Sequence, residues 1–294
     1  MRKLSILSLV VVLVVALAAA APALGSRSAT TGAHAIPGCA KGTLDLLSDG
    51  VLTVGADNPA FPPWFGGAEK TKPWKVSDPY SGKGYESAVV YAIATQLGFA
   101  KAQVKWTVVP FNNSFRPGKK PFDLYVTQVS YSAERARAVD FSRGYYFVNQ
   151  SVVARKGTPI ARAKTIAGLK RFKLGVQVGT TSLTYITRTI RPSSSPAVYD
   201  TNDAAIQALK NGQIDGIVVD LPTAFYVTAV QLDDGVIVGK LPTKGSQERF
   251  GAVFQKGSTL RRCVDRAIGN LRVNGTIAKI EKQYLARAGA PDLR

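Results

Sequence analysis

Three apolar patterns follow one another along the chain. Ile6–Ala20 is an apolar run interrupted only by Ser8, preceded by Arg2 and Lys3 and followed by Ala21-Pro22-Ala23. That is the layout of a secretory signal with an A-x-A cleavage site. The run is short of the ~20 residues a membrane span needs, so a retained anchor is the lesser alternative, and no other apolar run approaches it in length. From Val51 onward, short runs read as strands: VLTVGA (51–56), the alternating Val104, Trp106 and Val108, then Leu124-Tyr125-Val126, Gln150–Ala154, FKLGVQV (172–178), Ala197–Tyr199 and Ile214–Val219. Between them the spacing turns helical. Tyr85, Ala88, Val89, Ala92, Ile93 and Leu97 share a face that Gly98 closes. Further helices are predicted from the Gly179–Ser182 turn to about Arg191, over Asn202–Lys210 and Leu221–Val230, and in a C-terminal pair parted by Asn274-Gly275-Thr276.

Strands alternating with helices imply an α/β fold with parallel sheets and ligands at the strand C-termini. Phe147–Arg155 reads as a crossover into a second lobe, with Val236–Leu241 and Phe250–Gln255 as strands returning to the first. The predicted organisation is a signal peptide (1–23), a flexible leader (24–43), lobe one (44–148), lobe two (149–240), and a return to lobe one with the C-terminal helices (241–294). The 294 − 23 = 271 residues left after cleavage exceed one ordinary core and suit two.

Charge and composition then remove whole classes of function. The net charge of +19 falls to 19 − 2 = +17 without Arg2 and Lys3. No Lys/Arg run is longer than two, so the surface reads as solvated, suited to an anionic cell envelope rather than to nucleic acid. The sole histidine, His34, lies in the Ser/Thr/Gly/Ala-rich leader. A Ser-His-Asp or Cys-His centre is therefore not expected in the folded part, nor a His-based metal site, and no cofactor is implied. Cys39 and Cys263 are the only thiols, and a pair in a secreted chain argues for a disulfide. Lipidation of Cys39 is the alternative, disfavoured because many polar or small residues separate it from the apolar run.

The chemistry concentrates in FDLYVTQVSYSAERARAVDFSRGYY (122–146). A strand ending in hydroxyls leads to Ser132, a helix N-cap, with Glu134 and Arg135 in the first turn. A guanidinium beside hydroxyls and free amides can hold a small carboxylate; the plainer reading is a surface ion pair of Arg135 with Glu134 or Asp140. Elsewhere, the Pro-rich loop Asp57–Trp64 can present Phe61 and Trp64 as an aromatic wall, or simply pack them in the core. Asp220, ending a strand ahead of Leu221–Val230 and Pro222, reads from its position alone as a helix cap.

The pattern D-x(6)-S-x-S-x-E-R-x(4)-D-F-S-x-x-Y-Y over 123–146 resembles the extracytoplasmic amino-acid-binding proteins of ABC importers, solute-binding family 3. So do G-V-Q-x-G-T-T (175–181), G-x-I-D-x(4)-D (212–220) and the C-terminal D-R-A-I-x-x-L-x-x-N-G-T-I-x-K-I (265–280). The resemblance runs from about 51 to about 285. It implies a two-lobed type II periplasmic-binding-protein (Venus-flytrap) fold with two crossover strands, and a monomer outside the cytoplasm that delivers a free, polar amino acid to a membrane permease. It passes the ligand α-carboxylate to Arg135, aided by Ser130 and the backbone near Gln128, and from the far lobe by Thr180 and Thr181. It passes the α-ammonium to Asp220. Phe61, Tyr85 and Asp57 complete the expected cleft, with Gln177 and Ser182 adding to side-chain selectivity. One residue more than usual separates Asp57 from Phe61, and FNNSFRPGKKP (111–121) departs from the family pattern. A few proteins of this fold are cyclohexadienyl dehydratases, which need an acid placed to expel water; an extracellular sensor is the other alternative.

Overall fold

The computed structural model describes residues 36–67, 71–243, 245–285 and 289–294. The signal segment, most of the leader and His34 lie outside them. The chain first forms β1 (Leu52–Ala56), α1 (Tyr85–Gln96), β2 (Val104–Val108), α2 (Phe111–Ser114), β3 (Leu124–Tyr125), α3 (Arg135–Ala138) and β4 (Val139–Phe141). β5 (Tyr146–Val148) and β6 (Gln150–Arg155) carry it across to the second lobe. There it forms α4 (Ile166–Leu169), β7 (Leu174–Gln177), α5 (Thr181–Tyr185), β8 (Ala197–Tyr199), α6 (Asn202–Lys210), β9 (Gly216–Asp220), α7 (Leu221–Tyr226) and β10 (Gly235–Lys240). It returns through β11 (Glu248–Phe250) to β12 (Val253–Gln255), α8 (Leu260–Val273) and α9 (Thr276–Tyr284).

Each lobe is built on a five-stranded sheet, ordered β2-β1-β3-β12-β4 in lobe one and β10-β6-β9-β7-β8 in lobe two. Strands separated by helices pair in parallel, β1 with β2 and β3, and β7 with β8 and β9. Neither sheet is parallel throughout, because one strand in each arrives from the other lobe with no helix before it. β12 therefore runs antiparallel to β3 and β4, and β6 antiparallel to β9 and β10. Continuous apolar runs suit strands covered on both faces: all five residues of β1 and the first five of β6 are buried. Each fully buried large aliphatic side chain there contributes about 1.5–3 kcal/mol relative to exposure. α8 turns Cys263, Val264, Ala267, Ile268 and Leu271 inward.

Three expected boundaries need correction. Val236–Leu241 does not return to lobe one; β10 is the antiparallel edge of lobe two, where Val238 and Leu241 join that lobe's core. The C-terminal segment also ends in lobe two. The Lys240 and Leu293 amides donate to the Pro291 and Lys240 carbonyls, and Leu293 is buried in the second core. The leader is structured at its end, since Ile36 and Cys39 are buried in the core of lobe one. Cys39 is bonded to Cys263 of α8, which removes the lipidated alternative. Between the lobes, β5 and β11 form a two-stranded antiparallel ribbon, Val148 opposite Glu248 and Tyr146 opposite Phe250.

Candidate functional site

The lobes enclose a cavity of about 160 Å³. Lobe one contributes Asp57, Phe61, Phe111, Gln128, Ser130 and Arg135, and lobe two Gln177, Thr180, Thr181, Ser182, Asp220 and Thr223. Of the nine expected ligand contacts, Tyr85 alone is absent. It is fully buried, donates its hydroxyl proton to the Tyr145 carbonyl at 2.7 Å, and packs edge-on against Trp64 and Tyr146. As the first residue of α1 it points into the core of lobe one, not into the cleft.

Ser132 does cap the turn, accepting the Arg135 amide at 3.1 Å. The Arg135 guanidinium forms no ion pair with Glu134 or Asp140; Asp140 pairs with Lys256 at 3.1 Å. It donates instead to the Ser130 carbonyl at 2.6 Å and, across the cleft, to the Gly179 carbonyl at 2.6 Å. The Phe115 and Phe111 rings lie 4.4 and 5.6 Å from its central carbon, so the atypical stretch after Val109 supplies an aromatic seat for the cation. Burial lowers the Arg135 pKa to about 10, against the opposing pull of Glu248 and Asp220. Its Nε–H and two further N–H groups have no partner among the described residues.

Asp220 stands at the N-cap of α7, with Pro222 in the first turn, yet its side chain makes no capping bond. It accepts the Gln150 side-chain amide at 2.7 Å. Burial, reinforced by neighbouring Glu248, holds its pKa well above the carboxylate range. The cap reading fails for want of a cap bond.

Gly179 has φ +75°, and a Cβ there would lie 2.3 Å from the Asn112 Oδ1 of the opposite lobe. Only glycine suits both constraints. Thr180 caps α5, accepting the Leu183 amide while donating to the Gln177 carbonyl. Phe61 faces the cavity and meets Tyr226 of lobe two at 6.0 Å. Trp64 is core, but its indole N–H reaches Thr223 across the lobes at 3.2 Å. Asp57 lines the cavity despite the extra residue, its pKa raised by burial against a bond from the Asn58 amide.

Asp203 of the lining was not foreseen as a site residue, nor were Glu86 and Glu248 behind it. Glu86, fully buried, accepts the Gln128 amide and side-chain amide, each at 2.7 Å, and the Tyr145 hydroxyl at 2.5 Å. It thereby holds Gln128 at φ +46°, which a non-glycine residue rarely adopts. Burial outweighs these three donors and raises its pKa to about 7. Glu248, on the interlobe ribbon, accepts the Ser130 hydroxyl of lobe one and the Thr181 hydroxyl of lobe two on one oxygen, each at 2.5 Å. Its other oxygen takes the Gln150 amide at 3.0 Å. Ser130 and Thr181 are therefore not free donors for a ligand. Glu248 had no local signal in the sequence.

Residues 65–287 match the model of the bacterial extracellular solute-binding proteins, family 3. The chain belongs to this family. An arginine-binding protein of an ABC transporter from Escherichia coli (strain K12) is 28% identical over 207 residues, covering 68% of this chain and 81% of its own. The L-arginine-binding protein of Pseudomonas aeruginosa is 27% identical over 267 residues, covering 83% and 95%. Among solved structures, an ancestral arginine-binding protein bound to arginine superposes with TM-score 0.63 at 27% identity, covering 81% of this chain and 99% of that one. The family-3 chain has the two-lobed type II fold, its lobes here drawn together by the Arg135–Gly179 and Trp64–Thr223 bonds. No helix among the described residues is long and apolar enough to cross a membrane.

Proposed function

We propose that this protein captures a free, polar amino acid outside the cytoplasm and presents it to an ABC permease, without chemically altering it. One observation carries the reading: Arg135 and Asp220, opposite in charge and from opposite lobes, line the same enclosed cavity. A zwitterion leaving water needs an opposite charge and hydrogen bonds at each end. Arg135 has three N–H groups without a partner among the described residues, available to a carboxylate. Asp220, held toward its protonated form by burial, would be returned to its ionised form by an ammonium. The β5–β11 ribbon is the hinge about which the lobes part to admit the ligand.

A thermal-shift screen over the twenty amino acids tests this. A ligand at 100 times its Kd adds about 2.7 kcal/mol, or about 5–10 °C in a chain of this size. Arg135→Ala and Asp220→Ala should each lose about 2–4 kcal/mol of binding by calorimetry. Retention of affinity within about tenfold counts against the zwitterion clamp at that residue. Asp220 and Asp57, both cavity carboxyls with pKa values raised by burial, have the character of general acids, so the dehydratase reading is tested beside it. Release of phenylpyruvate from prephenate, or of phenylalanine from arogenate, would establish an enzyme.

A further inference from the structure

The cavity is rich in hydrogen-bond acceptors and poor in donors. Each hydroxyl has a single proton to give, and five of those lining the cavity give it to the protein. Ser130 and Thr181 donate to Glu248, Ser182 to the Gln150 side-chain oxygen, Thr180 to the Gln177 carbonyl, and Thr127 to the Val126 carbonyl. What these groups still offer a ligand is lone pairs. The charges lean the same way. Asp57, Asp203 and Asp220 line the cavity against the single cation Arg135, and Glu248 stands behind Asp220, both carboxylates accepting from the Gln150 amide. A neutral amino acid would engage Arg135 and Asp220 and leave the half-buried Asp57 without a cation, since it is not paired with Lys or Arg among the described residues; Asp203 is exposed and accepts the Gln231 side-chain amide.

Glu248 decides this balance. Its carboxyl is bonded to a hydroxyl of each lobe. Without its carboxylate, Ser130 and Thr181 would be free to turn their protons toward a ligand carboxylate, and one negative charge behind Asp220 would be gone. An amide at position 248 cannot reproduce the network. If its oxygen faced the two hydroxyls, its NH2 would face the Gln150 NH2, and Gln150 is held in that orientation because its own oxygen takes the Ser182 proton.

We propose that Glu248 is a positioning residue that sets ligand class: by drawing the Ser130 and Thr181 protons to itself, it shapes the cleft for an amino acid whose side chain is itself a cation. This rests on the amino-acid-binding reading above and narrows it. The test is calorimetric titration of wild type and Glu248→Gln with L-arginine, L-lysine, L-glutamine and L-glutamate, with melting temperatures of the ligand-free proteins recorded alongside. Wild type should bind arginine or lysine at least about tenfold more tightly than glutamine, and Glu248→Gln should narrow that ratio at least about fivefold. A wild type that prefers glutamine or glutamate overturns the assignment while leaving amino-acid binding intact. One that binds no amino acid defeats the function itself. Equal losses for all four ligands in Glu248→Gln would reduce Glu248 to a structural part and overturn the proposal.

Discussion

Glu86 offers a test whose sign is set by burial. Its carboxylate has no contact with water and three donors around it: the Gln128 amide, the Gln128 side chain and the Tyr145 hydroxyl. Its pKa in the fold is about 7, against 4.5 for the free side chain. The folded state therefore holds this proton more tightly than the unfolded state. Stability from this group is fully present below pH 4.5 and is lost as pH rises through about 7. A difference of 7 − 4.5 = 2.5 units corresponds to roughly 3 kcal/mol across the window. In Glu86→Gln the new oxygen can keep the Gln128 amide and the Tyr145 hydroxyl. The Gln128 side chain can turn over to offer its oxygen to the new NH2. The variant should match wild type within about 1 kcal/mol near pH 5 and exceed it by up to roughly 3 kcal/mol near pH 8. Glu86→Ala leaves three buried donors unpaired and should lose stability by several kcal/mol at every pH. Urea unfolding between pH 5 and 8.5 measures all three proteins, and other titrating groups cancel in the difference between wild type and Glu86→Gln. Parallel pH profiles for these two would refute the reasoning.

Two further predictions concern contacts far apart in sequence. The Cys39–Cys263 bond closes 224 positions, so Cys263→Ser should lower stability by at most roughly 5 kcal/mol in urea; alkylation of the unfolded, unreduced wild type should find no free thiol. Gly179→Ala should lower the stability of the ligand-free protein by about 1–2 kcal/mol, the cost of a left-handed φ for a side chain. It should weaken ligand binding further by pressing on Asn112 of the other lobe, and adding Asn112→Ala should recover part of the affinity and none of the stability.

Much of the fold was legible because it is local. Ala197–Tyr199 and Asn202–Lys210 fall where the periodicity put them, since each is a short run bounded by turn residues or Pro. Val236–Leu241 read as a strand returning to lobe one, although the expected bounds of lobe two already held most of it, because an apolar run records burial and not which sheet buries it. The last six residues carry only Leu293 as an apolar anchor, too little signal to place them against β10 and α4. Tyr85 was misplaced for a related reason. An aromatic at the start of an amphipathic helix can face cleft or core, and here it is settled by Trp64 and Tyr146, one of them 61 positions away.

The site divides along the same line. Arg135 and Asp220 could be placed at the cavity from local pattern, because Arg135 opens a helix behind the capping Ser132 and Asp220 ends a strand ahead of a Pro-initiated helix. Roles were harder to read than positions, because a role depends on where protons and charges go. Ser130, Thr180 and Thr181 all line the cavity as expected, yet the structure turns their hydroxyl protons to Glu248 and the Gln177 carbonyl. Nothing near Glu248 in sequence announces this. Its partners lie 118, 98 and 67 positions away, and they converge on it only because β11 pairs with β5 at the crossing between lobes. A carboxylate at that crossing joins the Ser130 hydroxyl of lobe one to the Thr181 hydroxyl of lobe two, so parting the lobes would have to break one of those bonds.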